Sequence, residues 1–320
     1  MQFRTQIPIA KADFSINYQS EILSLGSCFA ENMGSKFEYF KFKSEVNPFG
    51  IIFNSVSLEK LIRRSVKKAY FTDKDIFYHN ETWHCFDVHS ELSNFDKVAF
   101  LNHLNQLIDS TNQQIQQATH FIITLGTAWV YRNMESQQIV ANCHKVMQKH
   151  FTKELLSVET IEQSLQNLIG LITSVNSNAN FVFTVSPVRH SKDGFIENNL
   201  SKAHLITAIH KVIAPFRNLE TSKCNYFPSY EIMIDELRDY RFYAEDMLHP
   251  NAIAIDYIWS RFYEHYVDEK EFPVMQQVND VQKALQHRSF NPDSANHQKF
   301  LQNLNQKINT LATDYPFMKF

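Results

Sequence analysis

Two short stretches, far apart in the chain, carry residue types suited to nucleophilic chemistry. The first is Gly26-Ser27-Cys28, where a hydroxyl and a thiol follow a glycine. The second is Asp246-Met247-Leu248-His249-Pro250. A spacing of three lets a carboxylate meet an imidazole on one turn, so Asp246 can hold His249 Nδ1–H and leave Nε2 as a general base. A nucleophile lodged between a strand and a helix has the helix N-terminus behind it, whose free N–H groups favour an anion or a developing oxyanion. Ser27 and Cys28 both fit that position, and a helix N-terminus also lowers a thiol pKa. The plainer readings are Ser27 as a helix cap, Cys28 as a small buried group, and Asp246 and His249 as surface residues before a proline. A GxSxG elbow is absent.

The surrounding pattern supplies the elements that must hold these groups. Ile22 to Leu25 reads as a buried strand ending at Gly26, and Phe29, Met33, Phe37 and Phe40 then recur at helical spacing. Val46 to Ile52, around Asn47-Pro48-Phe49-Gly50, reads as extended, and 55–70 as a helix. Residues 71–93 look irregular. A helix near 97–115 leads into His120 to Leu125, the clearest buried strand, which ends at Gly126. Trp129 to Tyr131 and Gln138 to Val140 suggest a hairpin. Ile161, Leu165, Leu168 and Ile172 mark a helix, Asn180 to Val185 a strand, and 198–214 a further helix. Tyr226 to Met233 reads as a last extended segment. Ile255, Ile258, Phe262 and Tyr266 form the apolar side of a helix that Pro250 would help to start. Strands alternating with helices predict a three-layer α/β/α sandwich around a mostly parallel sheet. The chain has only six glycines, and Gly26, Gly50 and Gly126 follow β-prone segments, which fits strand C-terminal ends, where such sheets keep their sites. After about residue 271 the pattern becomes purely helical, so 1–270 reads as one domain and 271–320 as a helical appendage.

Composition narrows the function classes. A formal net charge of -3 offers no surface for nucleic acid, and no run is long enough for a membrane span. Four dispersed cysteines without a CxxC pair argue against a metal cluster or a disulfide framework, and for a reducing, cytoplasmic setting without a signal segment. No metal or other cofactor is expected. Among other polar residues, His89 lies in the His/Asp-rich stretch 83–90, His144 follows the expected hairpin, and Arg189 follows a strand end. These three, with Thr127 and Trp129, are candidates for contacting substrate.

Taken together, Leu25-Gly26-Ser27-Cys28-Phe29-Ala30, Asn47-Pro48-Phe49-Gly50, Gly126-Thr127-Ala128-Trp129, Asn142-Cys143-His144-Lys145, Ser186-Pro187-Val188 and Asp246-x-x-His249-Pro250 resemble the GSCFA family, which looks like a branch of the SGNH (GDSL-like) hydrolases. The resemblance implies an SGNH-like fold over 1–270. It also implies ester hydrolysis or acyl transfer on a small-molecule or carbohydrate-linked ester, through an acyl-enzyme. Ser27 resembles the superfamily nucleophile, Asp246 the orienting acid and His249 the base. An ungapped alignment with Gly-Asp-Ser instead puts Cys28 in the nucleophile's place, which leaves a cysteine hydrolase using Cys28 and His249 open. The backbone N–H groups of Ser27 and Gly50 would bind the oxyanion. The usual third-block Asn is replaced by Ala128, and such a donor is worth on the order of a hundredfold in rate. Asn47 is the expected substitute, with Thr127 and Trp129 behind it. A non-catalytic module that kept the fold is the rival of another class.

Overall fold

The computed structural model describes residues 5–216 and 223–320. Its elements, in chain order, begin with β1 (Glu21–Gly26), α1 (Cys28–Tyr39), β2 (Lys43–Val46), α2 (Ser55–Lys67), β3 (Phe77–His79), β4 (Thr82–His84) and α3 (Lys97–Gln117). Then come β5 (His120–Leu125), β6 (Trp129–Asn133), β7 (Ile139–Val140), β8 (Phe151–Leu155), α4 (Val158–Thr173), β9 (Asn180–Val185) and α5 (Phe195–Ile213). The chain closes with β10 (Cys224–Phe227), the single turn α6 (Ser229–Glu231), α7 (Ala252–Tyr266), α8 (Phe272–Gln286) and α9 (Ala295–Asp314).

β10, β9, β5, β1 and β2 form, in that order, one sheet whose pairings are all parallel. Its strands are apolar because both faces are covered. Leu23, Leu25, Phe121, Ile123, Phe181 and Phe183 face the layer of α2, α3, α4 and α5. Ile22, Ile122, Val182 and Phe227 face the other layer, built from α1, α7, α8 and α9. The period-two alternation of the strands thus divides the core in two. The result is the three-layer α/β/α sandwich expected, with two C-terminal helices packed on the α1 side.

Four expectations differ. The extended stretch 46–52 is a strand only up to Val46. Asn47 then takes a left-handed φ of 45° and Gly50 one of 74°, and Gly50 N–H closes a turn onto Asn47 O at 2.7 Å. The segment 226–233 is strand only as far as Phe227, and Pro228 then opens the helical turn at 229 and a π turn over Ile232–Glu236. The region 71–93 is not wholly irregular, since β3 and β4 pair as a hairpin. Pro250 precedes rather than opens α7, which Asn251 caps through its side chain.

β1 has β2 on one side and β5 on the other. The chain therefore changes winding direction beside β1, and a crevice opens at the C-terminal strand ends there. Cys28, Thr127 and His190 follow β1, β5 and β9 at that edge. Among the described residues no helix is long and apolar enough to cross a membrane, and no group of three metal-ligating side chains is placed to hold an ion.

Candidate active site

Gly26 explains why the first motif turns where it does. Its φ is +136°, and a Cβ there would stand 2.0 Å from Thr124 O. Only glycine fits that close approach between β1 and β5. Its N–H donates to Asn47 Oδ1 at 2.8 Å, and its carbonyl accepts from Ile52 N at 2.9 Å. The next residue, Ser27, is 0% exposed. Its N–H donates to Thr124 O at 2.9 Å, and its Oγ accepts from Phe29 N at 3.3 Å as the cap of α1. Ser27 is therefore buried, with its Oγ engaged as the cap of α1.

Cys28 is the first residue of α1, is half-buried and lines a cavity of about 580 Å³ at the crevice. His249 lines the same cavity from the opposite end of the sequence. Burial pushes the Cys28 thiol above its usual range and Glu31 adds to that, while Lys202 and the N–H groups of Cys28 and Phe29 pull it back down.

The second motif folds on itself. His249 Nδ1 lies 2.6 Å from Asp246 Oδ2, while Asp246 Oδ1 accepts from Leu248 N at 2.9 Å and from His249 N at 3.0 Å. Those two N–H groups, with the imidazole, hold the Asp246 carboxyl down at about 2. Met247 takes a left-handed φ of 59° to close the turn, and Ala244 N anchors it to His249 O at 2.7 Å. The side chains are 45% and 46% exposed, so the pair sits at the cavity mouth. A carboxylate on Nδ1–H leaves Nε2 as the proton acceptor.

The expected oxyanion donors fare differently. The N–H groups of Ser27 and Gly50 are both spent, the first on Thr124 O across to β5 and the second on Asn47 O in a local turn. Asn47 is buried and uses Oδ1 to hold Gly26 N–H; its Nδ2 has no partner and it is absent from the cavity wall. Trp129 and Thr127 do line the cavity. The indole N–H of Trp129 donates to Glu197 O at 3.1 Å, and Thr127 Oγ1 pairs with Ser201 Oγ at 3.0 Å. Ala128 is wholly buried, with its N–H on Ser201 Oγ.

Of the remaining candidates, Arg189 lines the cavity and stacks its guanidinium 4.1 Å from the Tyr243 ring centroid. His89 and His144 do not line it. His89 packs against Gly50 and faces Glu91 at 3.5 Å. His144 is buried beside His84, donates from Nε2 to Cys85 O at 2.7 Å, and is pushed down to about 4 by burial.

Three further groups bear on the site, Asn54 and His190 in the cavity wall and Lys202 behind it; of these, His190 follows the same strand end as Arg189 and shares its sequence signal. Asn54 caps α2 by accepting Ser57 N–H at 2.8 Å and lines the cavity, which leaves its amide nitrogen as a donor there. His190 lines the cavity above the Phe53 ring; burial first, then Lys202 and His249, push it down to about 3, and its Nε2 is buried without a partner. Lys202 is wholly buried behind the crevice. Asn54 sits four residues after Gly50, just before a helix, and that Asn-before-helix signal was available.

The family model for GSCFA matches residues 21–262, and a second, described as the C-terminal domain of GSCFA domain proteins, matches 278–320. The chain belongs to the GSCFA family. No match was found among curated proteins. A crystal structure of a carbohydrate esterase family 3 from Talaromyces cellulolyticus resembles it at a TM-score of 0.36 and 9% identity, covering 82% of this chain and 99% of that one.

Proposed function

We propose that the cavity is the active site of a thiol-dependent acyl hydrolase or acyltransferase acting on an ester. In this reading Cys28 is the nucleophile, His249 the base and Asp246 its holder. The observation that carries the reading is that Cys28 and His249 line one cavity, whereas Ser27 is sealed beneath it as a helix cap. The resemblance to the SGNH hydrolases supports an ester, and within that class a carbohydrate-linked acyl group.

His249 Nε2 takes the thiol proton as Cys28 Sγ bonds to the acyl carbon. The carbonyl electrons move onto its oxygen. The N–H of Cys28, at the first helical position and so without a helical acceptor, and the Asn54 amide are the donors assigned to that oxyanion. Collapse breaks the ester C–O bond, and the leaving alkoxide takes the proton back from His249. A water or an acceptor hydroxyl then gives its proton to His249 and attacks the thioester. The thiolate leaves and recovers that proton.

The test is turnover of a p-nitrophenyl ester and an acetylated sugar by two variants. Cys28→Ala is expected to lose on the order of 10³-fold or more in kcat. Ser27→Ala is expected to keep turnover within a few-fold and to lose about 1 kcal/mol of stability, the usual cost of a cap. The opposite pattern would return the nucleophile to Ser27. Wild-type protein that turns over neither substrate, nor forms an acyl adduct by intact mass, would support a binding module instead.

A further inference from the structure

Lys202 projects from α5 into the interior and is 1% exposed. Its Nζ donates to Gly126 O at 2.8 Å and to Ser186 O at 2.7 Å, the residues just past β5 and β9. Gly126 in turn packs on Ser27: a Cβ on Gly126 would lie 3.3 Å from Ser27 Cβ. The ammonium is thus tied to the backbone beside the Gly26-Ser27-Cys28 turn. Among the described residues no carboxylate lies within ion-pair distance of it. Its other neighbours are the Tyr230 ring, 5.5 Å from Nζ, and the neutral His190. Glu31, on the same helix as Cys28, acts on the thiol with the opposite sign.

Burying an ammonium without a counter-charge is costly, and two carbonyls replace only part of its hydration. Such a group keeps its charge only where an anion forms nearby and otherwise loses its proton, and the thiolate of Cys28 is the anion this site can make. We propose that Lys202 is a positioning residue that supplies a positive charge behind the Cys28 thiolate while tying the ends of β5 and β9 together. The inference rests on the reading of Cys28 as nucleophile. Burial drives Lys202 down to about 7, and Cys28 opposes that shift, so the two groups titrate as a coupled pair. Losing one proton from the pair leaves either thiol and amine or thiolate and ammonium. In the second form the sulfur is already ionised; removing Lys202 takes away the charge that favours that form and leaves His249 alone to draw off the thiol proton.

The test follows Cys28 itself, so it does not need turnover. Alkylation by iodoacetamide is measured against pH and read at the Cys28 peptide by mass spectrometry, since Cys143 also lines the cavity. Lys202→Met removes charge and donors; Lys202→Gln removes the charge and keeps an amide donor. Both are expected to move the alkylation midpoint upward by about one pH unit or more relative to wild type. A second measurement uses the reciprocal effect: in Cys28→Ala, the Lys202 midpoint, followed by NMR of carbon-labelled lysine, falls. A purely structural lysine predicts a shift with Met but none with Gln, and an unchanged Lys202 midpoint in Cys28→Ala; that result overturns the proposal. If the coupling is found but Cys28→Ala retains full turnover, the nucleophile assignment fails and the charge pairing stands.

Discussion

The two halves of the site are held by opposite means. The Gly26-Ser27-Cys28 turn is fixed by long-range bonds: Ser27 N to Thr124 O, Gly26 N to the Asn47 side chain, and Ile52 N to Gly26 O. The Asp246–His249 turn is fixed mostly within itself, by bonds spanning two to five residues, with one longer tie from Arg189 N to Leu248 O at 3.1 Å, and is about half exposed. A nucleophile embedded in the sheet inherits the rigidity of the whole core. A base on a surface turn with a single backbone tie to the segment after β9 can shift with little disturbance of the sheet, so its position can adjust when substrate fills the cavity.

That contrast can be broken from the sheet side first. Gly26→Val would drive a Cβ into Thr124 O at a backbone angle that valine rarely adopts. The variant is expected to lose about 3 kcal/mol or more, or to fail to fold, as read by urea denaturation. A stable Gly26→Val protein would mean that the turn is not fixed by the strand beside it. On the surface side, Asp246→Ala should separate function from stability. Turnover should fall on the order of 10³-fold, while the thermal unfolding midpoint at neutral pH moves far less than in the Gly26 variant. A large loss of stability in that variant would show the turn to be part of the core after all.

A smaller effect sharpens the comparison through acid. His120, on β5 and 4% exposed, is held by burial down at about 4, against about 6.5 for a free imidazole. Between those values the unfolded chain binds a proton that the folded chain refuses, so stability falls as pH drops from about 6.5 to 4. Asp246 behaves otherwise. Its contribution is intact above the free carboxylate range and disappears only as pH falls through about 2. Melting temperatures at pH 7 and pH 4.5 should therefore fall less in His120→Asn than in wild type, with no such difference for Asp246→Asn. Equal falls in His120→Asn and wild type would remove the sheet half from the acid response.

What could be read from the sequence follows from how local each signal was. β5 is a continuous apolar run because parallel strands are covered on both faces, so it is legible from composition alone. The β3–β4 hairpin is not, because its strands have three residues each and its turn uses Asn80 and Glu81, both at positive φ, instead of an Asn-Gly pair. Asp246 and His249 were legible as a pair because their bonding is local. The oxyanion donors were not, since whether the N–H of Ser27 is free depends on Thr124, 97 positions away, and that of Gly50 on the exact turn made with Asn47. Lys202 reads as a surface lysine until its register is counted. It stands three residues before Leu205 and seven before Ile209, on the buried side of α5.

The packing of α1 has a bearing on how the chain reaches this state. The helix that begins with Cys28 presents Phe37 to Trp259 and Phe262, and Tyr39 donates to Asn279 at a separation of 240 positions. The α2–α5 layer on the other sheet face is assembled from segments closer together in sequence. Closing so long a loop costs chain entropy before any contact repays it. The layer around α1 is therefore the half of the core expected to consolidate last. During synthesis the apolar face of α1 waits, uncovered, for α7 and α8 to emerge, and that interval is when the chain is most open to misassociation.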